Sequence, residues 1–173
     1  MAHPQPAVAV LAIAMLACGQ PLFTPRPAPP PAPAPQPHSV SEITAIRQSH
    51  AGAFGPSPTW DVTLRRDGTA EYRGLGNVPM LGRYDAAIDS TTFQRLAAGL
   101  VHWGFFRLAP YYGAAGTDHA YVATTVFYGT DSTFLIREIG QGPRVLDVIE
   151  AAIDSTAAQL SWSARPRRGA QPN

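Results

Sequence analysis

Residues 60–73 read Trp60-Asp61-Val62-Thr63-Leu64-Arg65-Arg66-Asp67-Gly68-Thr69-Ala70-Glu71-Tyr72-Arg73. Trp60, Val62 and Leu64 alternate with Asp61, Thr63 and Arg65, and after the turn Ala70 and Tyr72 alternate with Glu71 and Arg73. Period-two alternation places successive side chains on opposite faces of a strand, and Asp-Gly supplies residues that tolerate the positive φ of a tight turn. The stretch therefore predicts a β-hairpin with one buried face, and that face needs something to cover it.

Working outward, Ser41 to Gln48 is compatible with a preceding strand, with Ile43 and Ile46 out of strict alternation. After the loop from Gly74 to Pro79, Tyr84, Ala86 and Ile88 predict a third alternating strand. The period then changes. Thr91 is followed three residues later by Gln94, a capping-box pattern, and Phe93, Leu96, Leu100 and Val101 fall at helical spacing. Trp103, Phe105, Phe106 and Leu108 continue apolar past this helix, broken by Gly104 and Pro110, and are expected to cap one end of the core. The loop from Tyr111 to Asp118 is flexible by composition.

The second half follows a similar plan. Runs from Tyr121 to Tyr128 and from Thr133 to Ile139 predict strands joined by the turn cluster Gly129-Thr130-Asp131-Ser132. Gly142-Pro143 is expected to start a helix as Ncap and N1, with Leu146, Ile149, Ile153 and Leu160 as its apolar stripe against Arg144, Asp147, Glu150 and Asp154. The expectation is an α+β fold: an antiparallel sheet of five to six strands with two helices packed on one face. The order is compatible with an internal β-β-α pseudo-repeat.

The flanks differ in kind. Ala7 to Ala17 is an apolar run of about 11 residues, short of the roughly 20 that span a bilayer, and it ends at Cys18, the sole cysteine of the 173-residue chain. Met15-Leu16-Ala17-Cys18-Gly19 reads as the lipobox of a lipoprotein signal peptide, with lipidation at Cys18; an ordinary secretory signal with an incidental cysteine is the alternative. Residues 1–18 are thus expected as signal peptide and 19–38 as a linker. Nine of the 19 residues from Gln20 to His38 are proline, which favours polyproline II; from Pro25 to Pro37 such a linker reaches about 40 Å. The folded domain is expected at 39–163 and a basic disordered tail at 164–173. This architecture places the chain in a bacterial cell envelope, anchored to a membrane through an N-terminal lipid, or secreted if the lipobox is not used.

All 13 basic residues are arginine, and from Ser39 to Ser163 nine of them stand against twelve acids, a net charge of −3. A mildly acidic domain is a poor partner for nucleic acid, which needs clustered basic side chains. Candidate chemistry is sparse. No two histidines fall at i, i+4 on an expected helix, so no metal site is expected, and no cofactor motif is present: Gly113 to Asp118 lacks the Gly-Lys-Ser/Thr of a phosphate loop. Ser57 has no Gly-x-Ser-x-Gly setting. Arg65-Arg66, at the hairpin turn, are expected to be solvated. Trp60, Trp103, Trp162, Phe105, Phe106 and Tyr112 could line a ligand cleft, but aromatics beside helix ends are more often core. The candidate binding residues are Asp118 and His119 with Tyr111 and Tyr112, a polar cluster at a sheet end; adjacent strand residues point to opposite faces, which argues against an Asp118–His119 dyad.

From about Ser39 to Trp162 the chain resembles a bacterial envelope family, domain of unknown function 6438. The residues that carry the resemblance are Gly55 with Pro58, Asp67-Gly68-Thr69 followed by Tyr72, Gly82-Arg83-Tyr84, Phe93 and Leu96, Phe106 and Leu108 before Tyr111 or Tyr112, Asp118, and the expected helix Pro143 to Ile153. The resemblance implies no activity. It does point out one departure: the family's Cys-x-Gly-x-Cys-Pro segment is here Ala53-Phe54-Gly55-Pro56-Ser57-Pro58, so that segment has no thiol for redox, metal or disulfide chemistry. The expected function is a non-enzymatic interaction or binding domain on a lipoprotein, with an unknown envelope protein or ligand as partner. The alternative is a small extracytoplasmic enzyme or ligand-binding domain using the Asp118/His119 loop.

Overall fold

A computed structural model describes residues 39–53, 55–114 and 119–166. The signal, Cys18 and linker expectations, Asp118 and residues 167–173 lie outside the described residues. The chain divides into units 1–32 and 33–173, and every described residue belongs to the second. In chain order the elements are β1 (Ile43–Ala51), β2 (Thr59–Arg65), β3 (Thr69–Gly76), β4 (Gly82–Ala87), α1 (Ser90–His102), β5 (Tyr111–Tyr112), β6 (Tyr121–Tyr128), β7 (Asp131–Glu138), α2 (Val145–Ala158) and β8 (Ser163–Ala164). Single 3-10 turns precede β1 at Val40–Glu42 and follow α1 at Phe105–Arg107.

The hairpin forms as its alternation requires. Val62 pairs with Tyr72 and Leu64 with Ala70, all on the buried face. At the turn Gly68 has φ +90, and the Asp67 carboxylate accepts hydrogen bonds from the Thr69 amide (2.9 Å) and hydroxyl (2.6 Å), which hold its pKa below the ordinary carboxylate value. Around this hairpin an eight-stranded sheet assembles in the order β5-β7-β6-β1-β2-β3-β4-β8. Both helices pack on the same face, and their buried residues, Phe93, Leu96, Ala97 and Leu100 on α1 and Leu146, Ile149 and Ile153 on α2, join Ile43, Ile46, Val62, Leu64 and Val126 in one core. Phe105 is buried at its end, with Trp103, Phe106 and Leu108 packed against it, as the apolar run past the first helix predicts.

The fold is α+β, but the sheet exceeds the five to six antiparallel strands expected. It is mixed, because β5 runs parallel to β7, and it gains two-residue strands at both edges. Strands this short carry no periodicity. They form because the chain is held there by other means: the Ile136 amide donates to the Pro110 carbonyl (2.9 Å), and at the other edge the Arg165 amide donates to the Arg83 carbonyl (2.8 Å) while its guanidinium pairs with Asp85. Described contacts therefore continue past residue 163 into the segment expected as tail.

The helix starts also shift. The N-cap of α1 is Asp89, whose carboxylate accepts from the Thr92 amide at 2.8 Å, two residues before the expected Thr91. An aspartate in extended conformation ahead of the first turn satisfies an orphan amide and favours the helix dipole. The second helix begins at Val145 with Arg144 as N-cap, because the Gly142-Pro143 pair is spent on a turn in which the Pro143 carbonyl accepts from the Leu146 amide (3.0 Å). Arg66, expected to be solvated, instead donates from Nε to the Ile43 carbonyl (2.7 Å) and lies over the Phe93 ring, tying the hairpin turn to β1 and α1. Among the described residues no helix is long and apolar enough to cross a membrane.

Candidate functional site

The loop singled out by sequence is held by Glu138. Tyr111, on the outer face of the sheet, donates its hydroxyl to Glu138 Oε1 (2.8 Å), and the Ala114 amide donates to Oε2 (2.8 Å). The Ala114 amide first, then the Tyr111 hydroxyl, hold the Glu138 carboxyl below its ordinary pKa, and the same carboxylate raises that of Tyr111. Tyr112 points the other way: it packs against the core, and its hydroxyl accepts from the Ala109 amide at 2.9 Å. His119 is exposed. The two tyrosines thus serve opposite faces.

A polar row that the sequence did not single out lies beneath α2. Strand parity sends Ile46, Gln48 and His50 of β1 inward, and Leu135 and Arg137 of β7 likewise. Gln48 is fully buried. Its Nε2 donates to Asp154 Oδ1 (2.6 Å) and lies 2.8 Å from His50 Nε2; Gln48 Oε1 has no partner among the described residues. His50 stacks on Trp60 with ring centroids 4.1 Å apart, and its Nε2 stands 3.6 Å from Asp154 Oδ1. Further along the helix Arg137 donates to Asp147 (2.7 Å) and pairs with Glu150 (2.9 Å). Burial pushes the Glu150 carboxyl above its ordinary pKa, and Arg137 opposes the shift. The signal was available: Gln48 and Arg137 share parity with apolar neighbours, and Glu150, expected on the polar face, stands four residues after Leu146 and three before Ile153 and is buried with them.

Beside Asp154 this row opens into a groove of about 340 Å³ lined by Trp60, Tyr72, Met80, Ala157, Ala158 and Trp162. The Tyr72 ring lies 5.8 Å from both the Trp60 and Trp162 rings, and the Trp162 indole donates to the Ala157 carbonyl (3.0 Å), which fixes its orientation. Trp60 and Trp162 thus pack against the core and line a groove at once. Its walls offer aromatic faces and one carboxylate, and none of the lining residues is a serine, threonine or cysteine. Among the described residues no group of histidine, cysteine, aspartate or glutamate could hold a metal ion. This arrangement can stack and orient a ligand; it lacks a nucleophile paired with a base.

A family model described as a domain of unknown function (DUF6438) matches residues 44–157. No curated protein matches the chain.

Proposed function

The chain belongs to the DUF6438 family of domains of unknown function, and from that premise we propose that it is an envelope lipoprotein whose domain binds a ligand and does not transform it. Lipid on Cys18 anchors it, residues 19–38 act as the linker, and the aromatic groove between β2, β3 and α2 receives the ligand. The groove carries this reading: two tryptophans and a tyrosine converge on a cavity whose one charged lining residue, among the described residues, is Asp154. The anchor is supported by the apolar run before the sole cysteine. As the sole cysteine of the 173 residues, Cys18 has no disulfide partner among them, and lipidation would remove a free thiol from an oxidising compartment.

Cell fractionation after a high-salt wash, which removes charge-driven association, tests the anchor: the chain is expected to stay in the membrane fraction and Cys18→Ala to pass to the aqueous fraction, and an unchanged distribution overturns it. The groove is tested by titrating soluble envelope extracts against intrinsic fluorescence. A change that Trp162→Phe abolishes supports it, and a response indifferent to that substitution refutes it.

The second reading, an extracytoplasmic enzyme or ligand-binding domain at the Asp118/His119 loop, has one observation in its favour: the Glu138 carboxylate accepts from the Tyr111 hydroxyl and from the Ala114 amide at the start of that loop. His119→Ala and Glu138→Gln that leave folding and every screened activity unchanged would remove it.

A further inference from the structure

Helices cover one face of the sheet, and the register fixes what stands on the other. Across β1 to β4, Arg47, Thr63, Glu71 and Asp85 form one row, and Ser49, Asp61, Arg73 and Arg83 form the next. The carboxylates in these rows are taken. Asp61 pairs with Arg47 (3.3 Å), Glu71 lies 3.6 Å from both Arg65 and Arg165, and Asp85 pairs with Arg165. Arg73 and Arg83 are left over. They sit directly opposite each other on adjacent strands, both exposed, and neither forms an ion pair with a described residue. Like charges in register destabilise a strand pair, and an anion between them would reverse the sign. A hollow of about 230 Å³ lies there, lined also by Arg47 and Arg65 and by the ion-paired carboxylates of Asp61 and Glu71.

The other half of the same face is apolar. Phe134 is 56 % exposed, and Phe127 and Tyr121 on the neighbouring strand are also exposed. The halves meet at β1, where Arg47 pairs with Thr125, whose partner on β7 is Phe134. The face carries five arginines, at 47, 65, 73, 83 and 165, against four carboxylates, Asp61, Glu71, Asp85 and Glu138, a surplus of one, whereas the stretch from 39 to 165 as a whole has a net charge of −2. Its acidic surplus lies elsewhere, including the helix side with Asp89, Asp147 and Asp154.

We propose that this face, which no described helix covers, docks on an anionic lipid surface, the arginines taking headgroup phosphates and the exposed aromatic rings entering the interface. A guanidinium fork matches phosphate oxygens, and aromatic side chains beside basic ones are the composition of an interfacial surface. Soluble phosphate would account for Arg73 and Arg83 but leave Phe134 and Phe127 without a role; a lipid surface uses both. The docking needs no lipid at Cys18, so it stands apart from the anchor.

The test is sedimentation of the full chain carrying Cys18→Ala with vesicles of phosphatidylglycerol or of phosphatidylcholine. The apolar run at 7–17 contributes to both, so their ratio isolates the charge. Binding to the anionic vesicles is expected to exceed binding to the zwitterionic ones by roughly tenfold or more, falling in high salt. Arg73→Glu with Arg83→Glu brings the ratio towards one, and Arg73→Gln with Arg83→Gln, which removes charge without reversing it, gives an intermediate value. Phe134→Ser lowers binding to anionic vesicles several-fold. Arg95→Glu with Arg144→Glu makes the same change of net charge at exposed sites away from the sheet and keeps the ratio. Equal binding to both lipids overturns the proposal, as does a ratio that the Arg73/Arg83 variants leave intact. So does a Phe134→Ser chain that binds like the parent while soluble pyrophosphate abolishes the preference, since that identifies a site for free phosphate.

Discussion

Arg137 Nη2 stands 2.9 Å from Glu150 Oε2, with the two side chains 7 % and 11 % exposed, so β7 and α2 are joined by an ion pair inside the domain. Breaking such a pair from one side leaves the other charge buried. Arg137→Met is therefore expected to cost about 3 kcal/mol at neutral pH. Glu150 already has its carboxyl raised above its ordinary 4.5 by burial, and losing Arg137 raises it further. A raised acid binds its proton more tightly when folded, so its contribution to stability is greatest at low pH and is lost as pH rises through the folded pKa. Urea unfolding should then show the penalty of Arg137→Met shrinking as pH falls from 7 towards 4.5; a penalty independent of pH would contradict this.

Asp89 acts in the opposite sense. Its hydrogen bonds from Thr92, side chain first and then backbone, hold its carboxyl below 3.8, so the stability it contributes is present above that value and lost as pH falls through the folded pKa. Asp89→Ala should lower the melting temperature by a few degrees at pH 7. Asp89→Asn, which still caps, should stay near the parent at pH 7 and lose less on acidification. Thermal melts of the three chains at pH 7 and pH 3 decide it.

Gly74 allows no side chain. A Cβ there would lie 1.8 Å from the Met80 carbonyl oxygen and 2.8 Å from Val78 Cγ2, because the loop from β3 to β4 folds back over the strand. Gly74→Ala should cost at least about 2 kcal/mol, read as a lowered urea midpoint. Gly76→Ala, with nothing within 4 Å of the added carbon, should cost clearly less.

Gln48 is buried with only half its amide satisfied, since Oε1 has no partner among the described residues. Replacing a half-satisfied buried polar group with an apolar one of similar shape removes a desolvation penalty along with a hydrogen bond. Gln48→Met should change unfolding free energy by no more than about 1 kcal/mol, whereas Ile46→Ala, at a fully buried neighbour, should cost about 2–5 kcal/mol. A large loss for Gln48→Met in the same denaturant titration would show that its bond to Asp154 matters more than this accounting allows.

What the sequence determined by itself is local. Alternation from Trp60 to Arg73, the Asp67-Gly68 turn, the helical spacing of Phe93, Leu96 and Leu100, and the stripe Leu146, Ile149, Ile153 depend on periods of 2 and 3.6 residues within one element, and these define the α+β class and most of the core. Only the tertiary structure decided what depends on chain crossing chain. The edge strands β5 and β8 exist because Pro110, Arg83 and Asp85 lie where a passing chain can bond to them. Gln48 and Arg137 gain partners because α2 lies across β1 and β7, carrying Asp147, Glu150 and Asp154 to them from 10 to 106 residues away. Tyr111 and Tyr112, adjacent in sequence, are sent to opposite faces by the pleat, while Trp60 and Trp162, about a hundred residues apart, come to line one groove. No period spans such separations; packing sets them.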